Sequence, residues 1–190
     1  MKVYIVGGGS DFSKMFQSYG WEVTTDLFKA DLVQFTGGAD VTPEIYGEKN
    51  TDSHNDFNRD LREAAIFTIA KRIGKPMVGV CRGGQFLNVM CGGSMIQHVE
   101  GHTKAHTITA WYKGIAKTVL VTSTHHQMMV PEPDNGDVLA YTDTVGDADT
   151  EVIMYWEDMV LCFQPHPEFG GHECQEYYFE LIERCLGLKA

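Results

Sequence analysis

Cys81 lies within M-V-G-V-C-R-G-G-Q-F-L-N-V-M-C-G-G, residues 77–93, after a short apolar run and directly before Arg82-Gly83-Gly84. A strand that turns sharply into a helix leaves the corner residue exposed and strained. The free N–H groups and the dipole of a starting helix favour an anion at that corner. A thiol placed there is expected to ionise more readily, from about 8.5 toward the ~3.5–7.5 range of reactive cysteines. The helix is expected from Gln85 onward. Gly83 and Gly84 are read as clearing the turn and the approach of a substrate. Cys81 is therefore the candidate nucleophile.

A cysteine nucleophile needs a base, and the base needs a group that orients it. Gln164-Pro165-His166-Pro167-Glu168 follows the apolar run 160–163. The prolines hold this segment extended, and residues two apart in an extended segment project to one side. His166 and Glu168 then aim at one point, with the carboxylate fixing the imidazole tautomer, which is the logic of a Cys–His–Glu triad. Backbone N–H groups from Arg82 and from Gly38, in the Gly37-Gly38 pair just past another strand, are the candidate oxyanion donors.

The elements that must position these residues follow from the pattern of apolar and turn residues. Strands are expected at 2–6, 21–25, 32–36 and 77–80, and helices at 11–19, 61–73 and 171–186. Ser10 or Asp11 is the expected cap of the first helix. Residues 40–63 read as a long polar loop, of the kind that often carries function. The second half reads as short strands at 94–99, 107–111, 119–122, 138–142, 151–156 and 160–163. Turns separate them at Lys113-Gly114, at 131–136 and at Gly146-Asp147. Strand–helix alternation followed by hairpins implies an α/β fold: a mixed, largely parallel sheet, helices on both faces, and an antiparallel extension. Gly7-Gly8-Gly9 reads as a tight turn, since the spacing of a dinucleotide loop is absent.

With 190 residues the chain is expected to form a single domain, 1–190. A net charge of −11 and the absence of a basic stripe argue against binding nucleic acid or an anionic membrane. No apolar run reaches membrane-span length and no signal-peptide pattern opens the chain. Together with five cysteines in odd number, this points to a cytoplasmic protein with reduced thiols.

These motifs, in this order, resemble the class I (triad) glutamine amidotransferase superfamily, and most closely its γ-glutamyl hydrolase branch, including γ-glutamyl-γ-aminobutyrate hydrolases. The resemblance is carried by T-G-G-A-D-V-T-P-E-I-Y-G-E (36–48), R-D-L-R-E (59–63), G-V-C-R-G-G-Q-F-L-N-V-M-C-G-G (79–93), H-T-K-A-H (102–106), S-T-H-H-Q (123–127) and Q-P-H-P-E (164–168). It implies a flavodoxin-like fold and hydrolysis of a small γ-glutamyl amide through a thioester on Cys81, with His166 as base and acid. It also implies substrate contacts from Gln85 and from the loop carrying His125, His126 and Gln127, with Gly37 beside them. No cofactor is expected. One departure is Pro165, where the branch usually carries an aromatic residue. A homo-oligomer or a synthetase partner is left open, so a glutaminase subunit delivering ammonia is the alternative activity. A non-catalytic binding relative is the third reading.

Other residues are assigned blander roles. Cys91, Cys162, Cys174 and Cys185 read as core or surface thiols, and Trp111, Trp156, Tyr177, Tyr178 and Phe179 as core or interface. Asp40 and Tyr46 are close enough to the glycine pair to matter. His102 with His106, His125 with His126, and His172 near Cys174 do not make a zinc helix, so no metal is expected.

Overall fold

A computed structural model describes residues 1–100, 104–112, 115–143 and 148–190. His102 and the expected turns at Lys113-Gly114 and Gly146-Asp147 lie outside the described residues. The strands are β1 (Lys2–Val6), β2 (Glu22–Thr24), β3 (Leu32–Phe35), β4 (Met77–Val80), β5 (Ser94–Ile96), β6 (His106–Tyr112), β7 (Ile115–Val121), β8 (Met128–Val130), β9 (Gly136–Asp143), β10 (Ala148–Tyr155) and β11 (Val160–Phe163). The helices are α1 (Ser10–Ser18), α2 (Phe57–Arg72), α3 (Arg82–Met90) and α4 (His172–Leu186).

Nine strands form one sheet in the order β2-β1-β3-β4-β11-β10-β9-β6-β7, while β5 and β8 pair separately. From β2 to β11 every pairing is parallel, and from β11 to β7 every pairing is antiparallel. The mixed sheet with an antiparallel extension is therefore as the sequence implies. Strands β4 and β11 lie at its centre and bury every residue, which is why they read as unbroken apolar runs. One face is covered by α1 and α4 through Phe12, Phe16, Tyr178 and Ile182. The other is covered by α2 and α3 through Phe67, Ala70, Phe86 and Leu87. In such sheets ligands bind beyond the carboxyl ends of the parallel strands, and the loops after β3, β4 and β11 all emerge at that end.

Several boundaries differ from expectation, each for a local reason. Helix α2 begins at Phe57, so the polar loop ends at Asp56, whose side chain accepts from Arg59 N at 3.0 Å and caps the helix. Its buried positions are Asp60, Glu63, Phe67 and Ala70, while Leu61, Ile69 and Ile73 are exposed. The apolar count thus missed the first turn because that turn buries charge. Helix α1 is preceded by Gly9 and has no side-chain cap, so neither Ser10 nor Asp11 plays that role. Helix α3 starts at Arg82 rather than Gln85. Strand β8 was not expected, being too short to show alternation. Trp111 and Trp156 are each 45% exposed rather than core, with their indole N–H groups donated to Tyr141 and Asp137.

Candidate active site

Strand β4 hands the chain to α3 at Cys81, whose φ of 51° and ψ of −118° place a non-glycine residue in a costly region of the backbone map. Such conformations cost on the order of 1–3 kcal/mol and persist only where the surroundings over-determine them. Here Cys81 N donates to Phe163 O at 2.8 Å, and Gln85 N donates to Cys81 O at 3.0 Å. The two following glycines serve the turn, as expected, but not the approach of a substrate. A Cβ on Gly83 would overlap the Phe35 carbonyl, and one on Gly84 would press on the Phe163 backbone at 3.0 Å. They let the first turn of α3 pack directly on β3 and β11, and they do not open a path for substrate.

The segment after β11 is pinned by His166 N donating to Thr122 O at 2.8 Å. The imidazole Nδ1 donates to Glu168 Oε1 at 2.7 Å, and the Glu168 side chain is only 3% exposed. The other ring nitrogen, Nε2, is buried without an aligned hydrogen-bond partner. Such contacts are commonly loose before substrate binds. Cys81 lies beside this ring: a Cβ on Gly37 would sit 3.2 Å from His166 Cε1 and 3.7 Å from Cys81 Cβ. Burial alone would lower the imidazole pKa, but interaction with Cys81 and with Glu168 outweighs it and raises the value from 6.5 to about 10. Both partners therefore favour the protonated ring over what burial alone would allow. Phe169, 62% exposed, stacks on the ring at 5.4 Å and 22°.

Gly38 adopts φ +140°, with Arg59 so close that a Cβ would overlap its Nη1. Arg82, the other proposed donor residue, presents its backbone N–H at the open first turn of α3. Its side chain turns away into the protein, where it pairs with both Asp60 and Glu63 and lies 4.8 Å over the Phe86 ring. All three charged side chains are nearly fully buried. Asp60 in turn accepts from Thr42 N at 3.0 Å and Thr42 Oγ1 at 2.5 Å.

An open cavity of about 250 Å³ brings together Gly38, Cys81, Gln85, His125, His126 and Gln127, with Asp40 and His54 at its side. A second depression of about 300 Å³ lies against Gly37, Gly38, His166, Glu168 and Phe169, floored by Gly7, Gly8 and Gly9. Gln85 is buried and donates to Gln164 Oε1 at 3.2 Å. His125 Nδ1 donates to Gln127 O at 2.9 Å, His126 Nε2 to Asp40 Oδ2 at 3.2 Å, and Gln127 Nε2 to Ser53 Oγ at 2.7 Å. Gln164 Nε2, Gln127 Oε1 and Ser123 Oγ are buried without a partner among the described residues. These are polar atoms that a polar ligand would satisfy.

Sequence reasoning gave no role to Arg59, Asp60, Glu63, Gln164, Phe169 or Glu151. Glu151 sits at a register shift between β9 and β10, is fully buried, and accepts from Thr142 Oγ1 at 2.7 Å. Bulges of this kind re-aim side chains, and alternation along a strand cannot reveal them. The R-D-x-x-E spacing did hold a signal: i, i+1 and i+4 acids and bases at a helix start, too charged for an ordinary inner face.

The remaining thiols are set apart by burial, which pushes Cys91 up to about 12, Cys174 and Cys185 to about 11, and Cys162 well above its ordinary value. Among the described residues, Asp52, His98 and His126 bring potential ligand atoms within 4.8 Å of one another, although Asp52 and His98 are exposed and already paired at 2.9 Å. His172 instead pairs with Glu176 on α4. No helix among the described residues is long and apolar enough to cross a membrane.

The peptidase C26 family model matches residues 22–168. The chain is 34% identical over 162 residues to the glutamine amidotransferase-like protein YvdE of Lactococcus lactis, a match covering 75% of this chain and 67% of that protein. It is 28% identical over 180 residues to anthranilate synthase component 2 of Helicobacter pylori, covering 88% of this chain and 89% of that one. Several further relatives are matched over about half to two thirds of their own length. The fold is that of a glutamine amidotransferase from Thermotoga maritima, with a TM-score of 0.70 at 14% identity over 98% of this chain and 84% of that one. The chain belongs to the peptidase C26 family of class I glutamine amidotransferase-like hydrolytic enzymes.

Proposed function

We propose that this protein hydrolyses a small γ-glutamyl amide through a γ-glutamyl thioester on Cys81. The observation that carries the reading is the strained Cys81 corner beside a buried imidazole whose far nitrogen is held by Glu168 at 2.7 Å. His166 Nε2 takes the proton of Cys81 as the thiol attacks. Its Sγ bonds to the γ-carbonyl carbon, and the carbonyl electrons move onto oxygen. Gly38 N–H and Arg82 N–H hold that oxyanion. Collapse breaks the C–N bond as His166 Nε2 gives its proton to the departing amine. Water then adds to the thioester while His166 takes its proton, and cleavage of the C–S bond releases glutamate. Gln85, Gly37 and the His125–Gln127 loop face the acyl half. The buried free atoms of Gln164, Gln127 and Ser123 suit the charged head group of a glutamyl unit.

The second reading is a glutaminase subunit that passes ammonia to a synthetase. It is favoured by the match to anthranilate synthase component 2 along nearly all of both chains. Purified protein incubated with glutamine and a panel of γ-glutamyl amines, with glutamate as readout, separates the two. Turnover without a partner is expected. Cys81→Ala abolishes it, and a mass increase of one glutamyl unit on the wild type reports the thioester. Glutamate release only with a synthetase present would favour the second reading. Equal glutamate release by wild type and Cys81→Ala, with no thioester, would defeat both.

A further inference from the structure

Two consecutive carbonyls in the loop after β3, Thr36 O and Gly37 O, are held by one side chain. Arg59 Nη1 donates to Gly37 O at 3.0 Å, and Nη2 donates to Thr36 O at 2.9 Å and to Thr36 Oγ1 at 3.3 Å. Its Nε donates to Glu63 Oε1 at 2.7 Å, one turn further along α2. The other oxygen of Glu63 pairs with Arg82, the first residue of α3. Every nitrogen of this guanidinium is therefore committed, and the side chain is only 17% exposed. Gly38 has to be glycine because Arg59 occupies the space of its Cβ, and a Cβ on Gly7 would lie 3.0 Å from Arg59 Nη2. The loop is shaped around the guanidinium.

In a trans peptide the C=O and the following N–H point in opposite directions, and the structure has no cis peptide among the described residues. Fixing Gly37 O on Arg59 therefore aims Gly38 N–H the other way, toward the cavity that Gly38 shares with Cys81. A diglycine peptide has little else to fix its plane, since neither residue has a side chain to pack. We infer that Arg59 is a positioning residue for the oxyanion hole. It holds the Gly37–Gly38 peptide plane so that Gly38 N–H meets the oxygen as charge develops, and through Glu63 it ties that plane to the helix start that supplies Arg82 N–H. Both donors are thus braced by one ion-paired chain: Arg59, Glu63 and Arg82. This inference rests on the γ-glutamyl thioester reading above.

Arg59→Ala tests it with three readouts. Turnover of the best wild-type substrate should fall by about 10²-fold in kcat, the order seen on loss of one oxyanion donor, with KM changed far less. Affinity for a γ-glutamyl aldehyde, whose adduct with Cys81 carries a tetrahedral oxygen, should fall in parallel. Alkylation of Cys81 by iodoacetamide builds no oxyanion, and its rate should stay within about two-fold, which general damage to the fold would not allow. Lysine keeps the charge but presents a compact point donor in place of the planar fork, so Arg59→Lys should fall between wild type and alanine. Arg59→Lys carries the test alone if the alanine variant does not fold. Unchanged kcat and aldehyde affinity in a variant of an active wild type would overturn this inference and leave the function reading standing. Equal losses in turnover and alkylation would overturn it too, by assigning Arg59 to the fold. Absence of wild-type turnover across the whole panel would sink the function reading, and this inference with it.

Discussion

The two sides of the elbow differ sharply in how completely their polar groups are satisfied. On one side lie Cys81 and His166, a residue in a strained backbone conformation and an imidazole with one buried nitrogen lacking an aligned partner. On the other side, Arg82, Asp60 and Glu63 form a buried ion cluster whose carboxylates also engage Thr42 and Arg59. One turn of backbone thus carries the candidate nucleophile on one side, the outward one, and paired, buried charges on the other, the inward one. Strain at the first is tolerable because the second over-determines the corner. A site that keeps unmet polar capacity for a substrate is backed here by a cluster that keeps little, Arg82 Nε being its one buried atom without a partner among the described residues.

The largest effect should come from breaking the inward side. Arg82→Met fills similar space but leaves Asp60 buried without its cation and Glu63 with Arg59 alone, a loss of about 3–5 kcal/mol for a cluster of this kind. Chemical denaturation should show a markedly lower midpoint with little change in slope. A loss below about 1 kcal/mol would mean that the cluster behaves like surface charge and does not brace the turn.

Sequence made the outward side legible and hid the inward one. Cys81, His166 and Glu168 announce themselves because their neighbours are short-range signals: an apolar run before a glycine pair, and prolines that hold a dipeptide spacing open. The brace depends on α2 reaching back to the loop after β3 and to the start of α3. Its residues sit on a helix face that an apolar count scores as solvent-facing. The parallel half of the sheet was readable from continuous apolar strands such as β4 and β11. The bulge that buries Glu151 was not, because register shifts leave no mark on composition. Glycine was misread in part for the same reason: Gly83 and Gly84 are needed by the carbonyls of Phe35 and Phe163, which lie far away in the chain.

The outward side is sharpened by pH. Because the folded pKa of His166 is raised from 6.5 to about 10, its contribution to stability is complete below about 6.5 and is lost as pH climbs through 10. In the proposed reaction thioester formation needs the same proton for the departing amine, so its rate should hold through neutrality and fall on a basic limb near 10. Glu168→Gln removes one of the two interactions that raise the pKa, while burial still lowers it. The basic limb should move to lower pH and kcat should drop on the order of 10²-fold, the low end of what positioned acid–base catalysis contributes. Stopped-flow acylation across pH 6–11 measures both. An unmoved limb would mean that Glu168 only holds the ring in place.

The smallest effect separates orientation from chemistry on the outward side. Pro165 takes the place where the branch that this chain resembles usually carries an aromatic ring, yet the imidazole is not left without one: Phe169 stacks on it at 5.4 Å from beyond Glu168. Aromatic contacts of this kind contribute about 0.5–1.5 kcal/mol, so Phe169→Ala should lower kcat by roughly 2- to 12-fold, and Phe169→Tyr should leave it close to wild type. Because Glu168 still grips Nδ1, the basic limb near 10 should stay in place while the plateau falls. A limb that moves with the plateau would mean that the ring shields the imidazole's charge from water, and the stack would then belong to the electrostatics of His166 rather than to its aim.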